Sequence, residues 1–482
     1  MRASAVHTSA TCLLAFLGIA GGAAARAQGP SGTNLAADGS APVVESAPVE
    51  SISEESASPI PAESDGAILN AQDWLSPDVP TTPCSIEQAA KSPYEFGYAD
   101  GLFFNVRRNR DSFAARANLR TQFRFSTFSR DADSWTDNAG VVRPIYNRQI
   151  FELERARVVL AGHAFSPQLK YFLQTDGDTD SRHELAILDH WWAWRVSDAV
   201  EIQAGKRKVP GTRNWLLGAF DTRLIDRPFA NEFFRPSRTT GIWVVGDPSS
   251  VWHYELMIGQ GFSTEGLTPA EVSDQFSGAA SAWWNLLGDY GPGRPTDYER
   301  HDELAVRAGC SLVSSREGRQ GSQLEEADFL RLTDGTRVTD PGALAPGATV
   351  ESFDVTLLAL DLAFKYQGWS ANGEYFWRWI ENVKADLPVP SVGLQQGFYV
   401  EGGFFLVPQQ WELNGQFSYV GGEQGVRKGG AVGFSYYPRN TQNFKLSADV
   451  TVLDGSPVNS TGSDVLVGDD GVLVRTQFQA LF

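Results

Sequence analysis

Arginines that could bind anions recur at a fixed spacing in one long polar segment of the chain. Arg116, Arg120 and Arg124 stand four residues apart within 112–129, where apolar and polar residues alternate. Because successive side chains of a β-strand point to opposite faces, the three guanidinium groups share one face, about 13 Å apart. Such a row attracts anions and offers N–H donors in place of their hydration shell. Arg155 and Arg157 repeat the pattern in the next segment.

A second basic cluster lies in residues 206–238. It has eight basic side chains against three acidic ones, although the whole chain has a net charge of −18. A helix-like apolar patch, Trp215–Phe220, predicts that this external loop folds inward and packs on a wall. The loop and its flanks are therefore expected to form a positive constriction, and bends near Pro210 leave open which lysine faces inward. The basic residues are Lys206, Arg207, Lys208, Arg213, Arg223, Arg227, Arg235 and Arg238.

The elements that must position these side chains are long alternating strands. A soluble sandwich strand usually has about 5–6 residues, whereas the pattern at 112–129 suits a tilted strand that crosses a bilayer. Short turns alternate with long polar loops, and the last strand ends the chain on Phe482. Sixteen strands are predicted, near 112–129, 149–165, 168–178, 184–196, 200–209, 238–247, 251–262, 280–290, 299–313, 351–367, 369–383, 394–407, 410–421, 427–438, 441–454 and 471–482.

The predicted fold class is all-β: a 16-stranded antiparallel transmembrane β-barrel with a disordered acidic N-terminal segment. Plentiful Gly (47), Trp (14), Phe (29) and Tyr (13) suit strands with aromatic girdles. An even number of strands puts both ends of the barrel on the short-turn, periplasmic side. The connection near 291–298 is long for a periplasmic turn.

Three segments are predicted along the chain. Residues 1–27 have an apolar run and an A-x-A site at Ala25–Ala27, which are typical of a signal peptide. Residues 28–95 are rich in Ser, Ala, Pro and Glu, and 29–95 has eleven acids against one base, Lys91. That composition predicts a disordered acidic periplasmic spacer, with a docking tail for the cell wall as the alternative. Residues 96–482 form the barrel, which places the protein in the outer membrane of a Gram-negative-type envelope.

The inner faces of the strands leave two interpretations of the arginines open. A charge facing lipid at mid-bilayer costs about 2–4 kcal/mol, so the arginines should face water. They form either an anion pathway or cross-lumen pairs with acids, as in a general porin. The acids predicted on inner faces are Glu303, Asp361, Glu374, Glu401, Glu412 and Asp449.

Several of these segments resemble the phosphate-selective porin O and P family. They include Arg155–Gly162 with Phe165–Pro167, Gln203–Pro210 with its G-K-x-K-x-P-like element, and Arg238–Gly241. The resemblance covers roughly 97–482. It implies a trimeric sixteen-stranded barrel that passes anions through an arginine-lined pore, and hence a homotrimer here.

The sequence therefore predicts an outer-membrane porin that gives facilitated diffusion of small anions, with phosphate or polyphosphate as candidate solutes. The alternatives are a general, weakly selective porin and, from a different class, an adhesin or cell-wall tether. No enzyme, cofactor or metal site is expected, because the histidines show no H-E-x-x-H spacing and no G-x-S-x-G is present. The acidic balance argues against nucleic acid as a partner. Two cysteines, Cys84 and Cys310, remain after cleavage and do not make a disulfide framework.

Overall fold

The computed structural model describes residues 94–98, 101–106, 113–177, 185–197, 199–264, 275–291, 293–318 and 330–482. The predicted signal peptide and all but the last two residues of the predicted spacer lie outside these ranges, as does Cys84. No helix in the described part of the chain is long and apolar enough to cross a membrane.

The described strands form a closed antiparallel barrel of sixteen, which confirms the predicted fold. β3 and β6–β20 make up the wall, β1 and β2 form a hairpin before it, and β4 and β5 form a small ribbon. In chain order the strands are β1 (Tyr94–Tyr98), β2 (Leu102–Val106), β3 (Phe113–Arg130), β4 (Ser134–Thr136), β5 (Val142–Pro144), β6 (Arg148–Ala164), β7 (Ser166–Gly177), β8 (Ala186–Ser197), β9 (Val200–Lys208), β10 (Arg238–Ser249), β11 (Trp252–Gly259), β12 (Ser277–Leu287), β13 (Ala305–Gly318), β14 (Val350–Tyr366), β15 (Trp369–Ala385), β16 (Gly393–Val407), β17 (Trp411–Gly422), β18 (Gly425–Tyr436), β19 (Phe444–Asp454) and β20 (Gly471–Leu481).

The alternating sequence pattern becomes an outer apolar face and an inner polar face. On β17, Leu413 and Phe417 are exposed on the outside, while Glu412, Asn414 and Ser418 are buried inside. Neighbouring strands pair with each other all around the wall, apart from local register shifts, and such pairing is what a sheet in hydrocarbon needs. The outward residues can therefore contact lipid, and the charged residues lie in the lumen.

The barrel closes where the last strand meets the first. β20 pairs with β3 from Gly471 opposite Arg130 to Leu481 opposite Arg120. The seam ends at Phe482, whose N–H and C=O bond the backbone of Leu119 at 3.0 and 2.7 Å. Below that point β2 takes over the same edge of β3, so the N-terminal hairpin continues the line of β20.

Deleting Phe482 is expected to impair barrel insertion more than conduction. The deletion removes two backbone hydrogen bonds at the seam, worth about 0.5–1.5 kcal/mol each. The measurement is the amount of heat-modifiable protein in outer-membrane fractions, with Phe482→Tyr as the matched control. Normal membrane levels of the deleted chain would contradict this role for the terminal residue.

Most predicted strands agree with the structure to within about three residues, but one boundary was wrong. The strand predicted at 299–313 begins at Ala305 and runs to Gly318. Glu303, predicted on an inner face, is therefore exposed in the preceding turn. The reason is that the described residues of the connection, 288–291 and 293–304, leave the wall. The connection enters the lumen from the short-turn end, where the Tyr290 side chain is completely buried.

The long loop 209–237 also fills part of the lumen. It contains two short helices, α1 (Arg213–Leu216) and α2 (Phe229–Phe234), so the predicted inward fold is confirmed and only the start of the helix-like patch is helical. α2 packs on the inner wall, with the rings of Phe234 and Phe376 stacked 5.0 Å apart. This apolar core against β15–β17 replaces water on one side, so the free space of the lumen lies on the other side.

Candidate functional site: a basic cavity beside the inward loop

The inward loop is fixed across the lumen by carboxylates on the opposite wall. Glu374 on β15 accepts hydrogen bonds from the backbone N–H groups of Arg213 and Asn214 at 2.6 and 3.0 Å. Glu412 on β17 pairs with Arg223 at 3.1 Å. These contacts use acids predicted on inner faces, and they hold the beginning and the middle of the loop in place.

Replacing Glu374 by alanine is expected to release the start of the loop and to raise single-channel conductance and current noise. The change leaves two buried N–H groups and the Tyr399 hydroxyl, a further donor at 2.8 Å, without their acceptor. An unsatisfied buried donor costs about 1–3 kcal/mol. The measurements are planar-bilayer conductance and heat-modifiability. Glu374→Gln is an intermediate variant, because its amide oxygen accepts at one of the two oxygen positions while its NH2 group faces a donor at the other. Wild-type conductance in the alanine variant would count against this anchor.

Asp226 fixes the loop on the other side. Its carboxylate lies 2.9 Å from Arg155 and 3.4 Å from Arg124. Burial alone would raise the pKa of Asp226, but Arg155, Arg124 and Arg227 hold that pKa well below its usual range. The carboxylate therefore stays charged at neutral and mildly acidic pH, and its contribution to stability is lost only as the pH falls through its lowered pKa.

Beside the loop lies a cavity of about 590 Å³. Its wall comes from the loop on one side and from β3 and β6–β13 on the other, with shorter contributions from the external segments near 331 and 458–462. Acidic residues on the wall are Asp189, Asp221, Asp226, Glu232 and Glu255. Basic residues outnumber them: Arg120, Arg155, Arg157, Arg207, Lys208, Arg213, Arg227, Arg235, Arg238, Arg307 and Arg331.

Part of this positive charge is compensated within the wall. Arg157 pairs with Asp176 on the neighbouring strand at 2.7 Å. Arg207 pairs with Glu255 at 2.8 Å. Arg238 pairs with Asp189 through a 3.2 Å contact. The wall therefore combines paired arginines with an excess of cations, and both sequence-based interpretations of the arginines have a counterpart in the geometry.

The structure separates the predicted site residues into two groups. Nine line the cavity: Arg120, Arg155, Arg157, Arg207, Lys208, Arg213, Arg227, Arg235 and Arg238. Four do not contribute to its wall: Arg116, Arg124, Lys206 and Arg223.

Those four have other positions for identifiable reasons. Arg124 is completely buried under ion pairs with Asp226 and Asp464, and Arg223 anchors the loop. Arg116 lies toward the short-turn end, opposite Phe103 of β2. Lys206 lies on β9 and donates to the carbonyl of Ile187 at 2.9 Å.

Two wall residues, Arg307 and Arg331, were missed by the sequence analysis. Arg307 shares the inner face of β13 with Ala305 and Gly309. The period-2 alternation of the strand could therefore have identified it from the sequence. Arg331 lies in an external segment outside the wall strands, and no local pattern places it at the cavity.

The inserted connection 288–304 lies against the loop from the other end of the barrel. Arg294 lies 3.4 Å from Asp221 of the loop. Arg213 donates to the carbonyl of Gly293 at 3.0 Å, and Arg223 donates to that of Pro295. Two chain segments that enter from opposite ends therefore brace each other inside the lumen.

One group of carboxylates has the spacing of a cation site. Glu152, Glu154 and Asp464 bring one oxygen each within 4.8 Å of one another. Arg124 lies 3.2 Å from Asp464 and 3.6 Å from Glu154, so its guanidinium supplies the positive charge there. In the described residues this cluster connects the wall to the external segment 455–470.

A closed outer-membrane barrel narrowed by an inward loop defines the protein as an outer-membrane porin. Residues 333–482 match the family model of phosphate-selective porin O and P. No curated protein matches the chain.

The chain is also similar to solved porin structures. An anion-selective porin from Comamonas acidovorans is 11% identical, with a TM-score of 0.50, over 77% of this chain and 100% of its own. OmpF of Salmonella typhi is 11% identical, with a TM-score of 0.48, over 80% of this chain and 100% of its own. The outer-membrane channel DcaP of Acinetobacter baumannii is 11% identical, with a TM-score of 0.47, over 76% and 97%. At this identity the first of these likenesses establishes the shared barrel fold.

Proposed function

We propose that this porin gives facilitated diffusion of small anions, including phosphate or polyphosphate, through the basic cavity as the narrow part of an arginine-lined pathway. The observation that carries the proposal is the excess of basic over acidic residues on the cavity wall, in a chain whose net charge is −18. A narrow passage with low-dielectric walls focuses the field of such charges. The guanidinium and ammonium groups also replace part of the water that an anion sheds.

The test is the zero-current potential of single channels in a KCl gradient, followed by block of the chloride current with phosphate. We expect the zero-current potential to have the sign that results when chloride permeates more readily than potassium. We also expect the block of the chloride current to saturate with phosphate concentration. Both effects should weaken at high salt, since the Debye length falls from about 10 Å at 0.1 M to about 3 Å at 1 M. A zero-current potential near zero at low salt would instead support a general, weakly selective porin.

That second function is favoured by one specific observation. The ion pairs Arg157–Asp176, Arg207–Glu255 and Arg238–Asp189 place both signs of charge on the same wall. Such pairs produce a local field with little net preference. The family resemblance also supports a homotrimer, which mass measurement of the detergent-extracted protein tests. The adhesin or tether alternative rests on residues 28–95, nearly all of them outside the described ranges.

A further inference from the structure

A buried indole lies among four of the cations that line the cavity. The Trp215 ring centroid is 3.9 Å from the guanidinium carbon of Arg235 and 5.2 Å from those of Arg227 and Arg238. The Lys208 ammonium lies 4.8 Å from it. All four distances are within the range of cation–π attraction.

The indole is itself held firmly. Its ring N–H donates to the carbonyl of Ser237 at 3.3 Å, and its backbone N–H donates to the Thr212 hydroxyl at 3.3 Å. Its own carbonyl accepts from Lys208 at 2.7 Å. Only 4% of the residue is exposed. The ring is therefore held in place between the beginning of the loop, at Thr212, and its end, at Ser237.

The cations around the ring are only partly matched by carboxylates. Arg235 pairs with Glu232 at 2.8 Å, and Arg238 pairs with Asp189. Arg227 donates to the carbonyls of Asn214 and Leu217. Burial lowers the pKa of Arg227 to about 10, which still leaves it charged at neutral pH. The cluster therefore concentrates like charges that repel one another.

An aromatic ring and a carboxylate hold cations with opposite consequences for a passing anion. A carboxylate attracts a cation by its formal charge and cancels that cation's field. An indole attracts it through the negative face of its quadrupole and has no net charge. A ring in this place keeps the cations crowded at the wall and leaves their field available to the cavity.

We propose that Trp215 is a positioning residue for anion selectivity, which holds Arg227, Arg235 and Arg238 at the cavity without neutralising them. This inference rests on the proposed function. It assigns the selectivity to the face of one ring as well as to the charges themselves.

The test compares Trp215→Leu, which is apolar but has no π face, with Trp215→Phe, which keeps one. We expect the chloride-over-potassium permeability ratio to fall by roughly threefold or more in the Leu variant and to be largely retained in the Phe variant. Trp377→Leu is the matched control, because Trp377 points outward from β15 and should leave the ratio unchanged. Heat-modifiability verifies folding. If the Leu variant does not fold, Trp215→Met takes its place.

The outcomes separate this inference from the proposed function. A wild-type channel without anion preference refutes the proposed function, whatever Trp215 does. An anion-selective wild type whose folded Leu or Met variant keeps the same ratio overturns the role of the ring. Equal loss in the Phe and Leu variants overturns it as well, because shape and not the π face would then be responsible.

Discussion

Replacing Arg120 and Arg307 together by glutamate is expected to reverse the sign of the zero-current potential in a KCl gradient. The two arginines lie on β3 and β13 and both line the cavity. Each substitution replaces a positive charge with a negative one, and the cations that remain on the wall keep the new carboxylates ionised. Lumen substitutions of this kind tune selectivity, whereas lipid-facing charges cost stability. The glutamine pair should lower chloride preference without reversing it.

The control for this experiment is Arg439→Glu, in an exposed turn at the short-turn end of the barrel. It changes the total charge in the same sense but lies outside the cavity wall, so its potential should stay close to that of the wild type. If the control shifted the potential as much as the double variant does, overall charge would be the cause. An unchanged potential in the double variant would remove the cavity from the conduction pathway.

Asp226→Asn is expected to destabilise the folded loop by about 3–5 kcal/mol, the cost of removing one partner from a buried ion pair. The substitution keeps the size of the side chain and leaves Arg124 and Arg155 with less negative charge. The Arg124 and Asp226 side chains are 0% and 3% exposed, so water compensates little. A released loop should also widen the passage. The measurements are the temperature of the heat-modifiability transition and single-channel conductance.

A surface ion pair offers the matched comparison. Lys428 and Asp454 lie 3.2 Å apart with side chains 55% and 66% exposed. Pairs of this kind contribute roughly 0–1 kcal/mol, so Asp454→Asn should leave the transition temperature nearly unchanged. Equal effects of the two substitutions would mean that the Asp226 contact does not fix the loop.

Local patterns were sufficient to predict the wall but not the contents of the lumen. The alternation that places Arg155 and Arg157 inside and Val158 outside depends only on the strand itself. Whether an inward arginine lines the cavity or is covered depends on residues far away in the chain. Arg120 and Arg124 have the same spacing signal, yet Arg120 lines the cavity while Arg124 is covered by Asp226 and Asp464.

The connection 288–304 shows the same limit at the level of a segment. Its Gly- and Pro-rich sequence correctly indicated a break between strands. Its length was underestimated, because the following strand was extended backward to residue 299. What draws the connection into the lumen is Arg213 and Arg223 of another loop, bonded to its carbonyls. No repeating pattern of residues within the segment indicates these contacts.

The seam at β3 has a consequence for how the chain folds. β3 is the first strand of the wall, and residues 120–130 of its edge are paired by β20, which lies much later in the sequence. Until that pairing forms, the growing sheet keeps an open edge that can pair with other chains. Contacts between such distant parts of the sequence also form slowly, since loop closure precedes any gain from pairing. The chain must therefore be kept from aggregating until β20 pairs with β3, and its yield should respond to the supply of periplasmic chaperones.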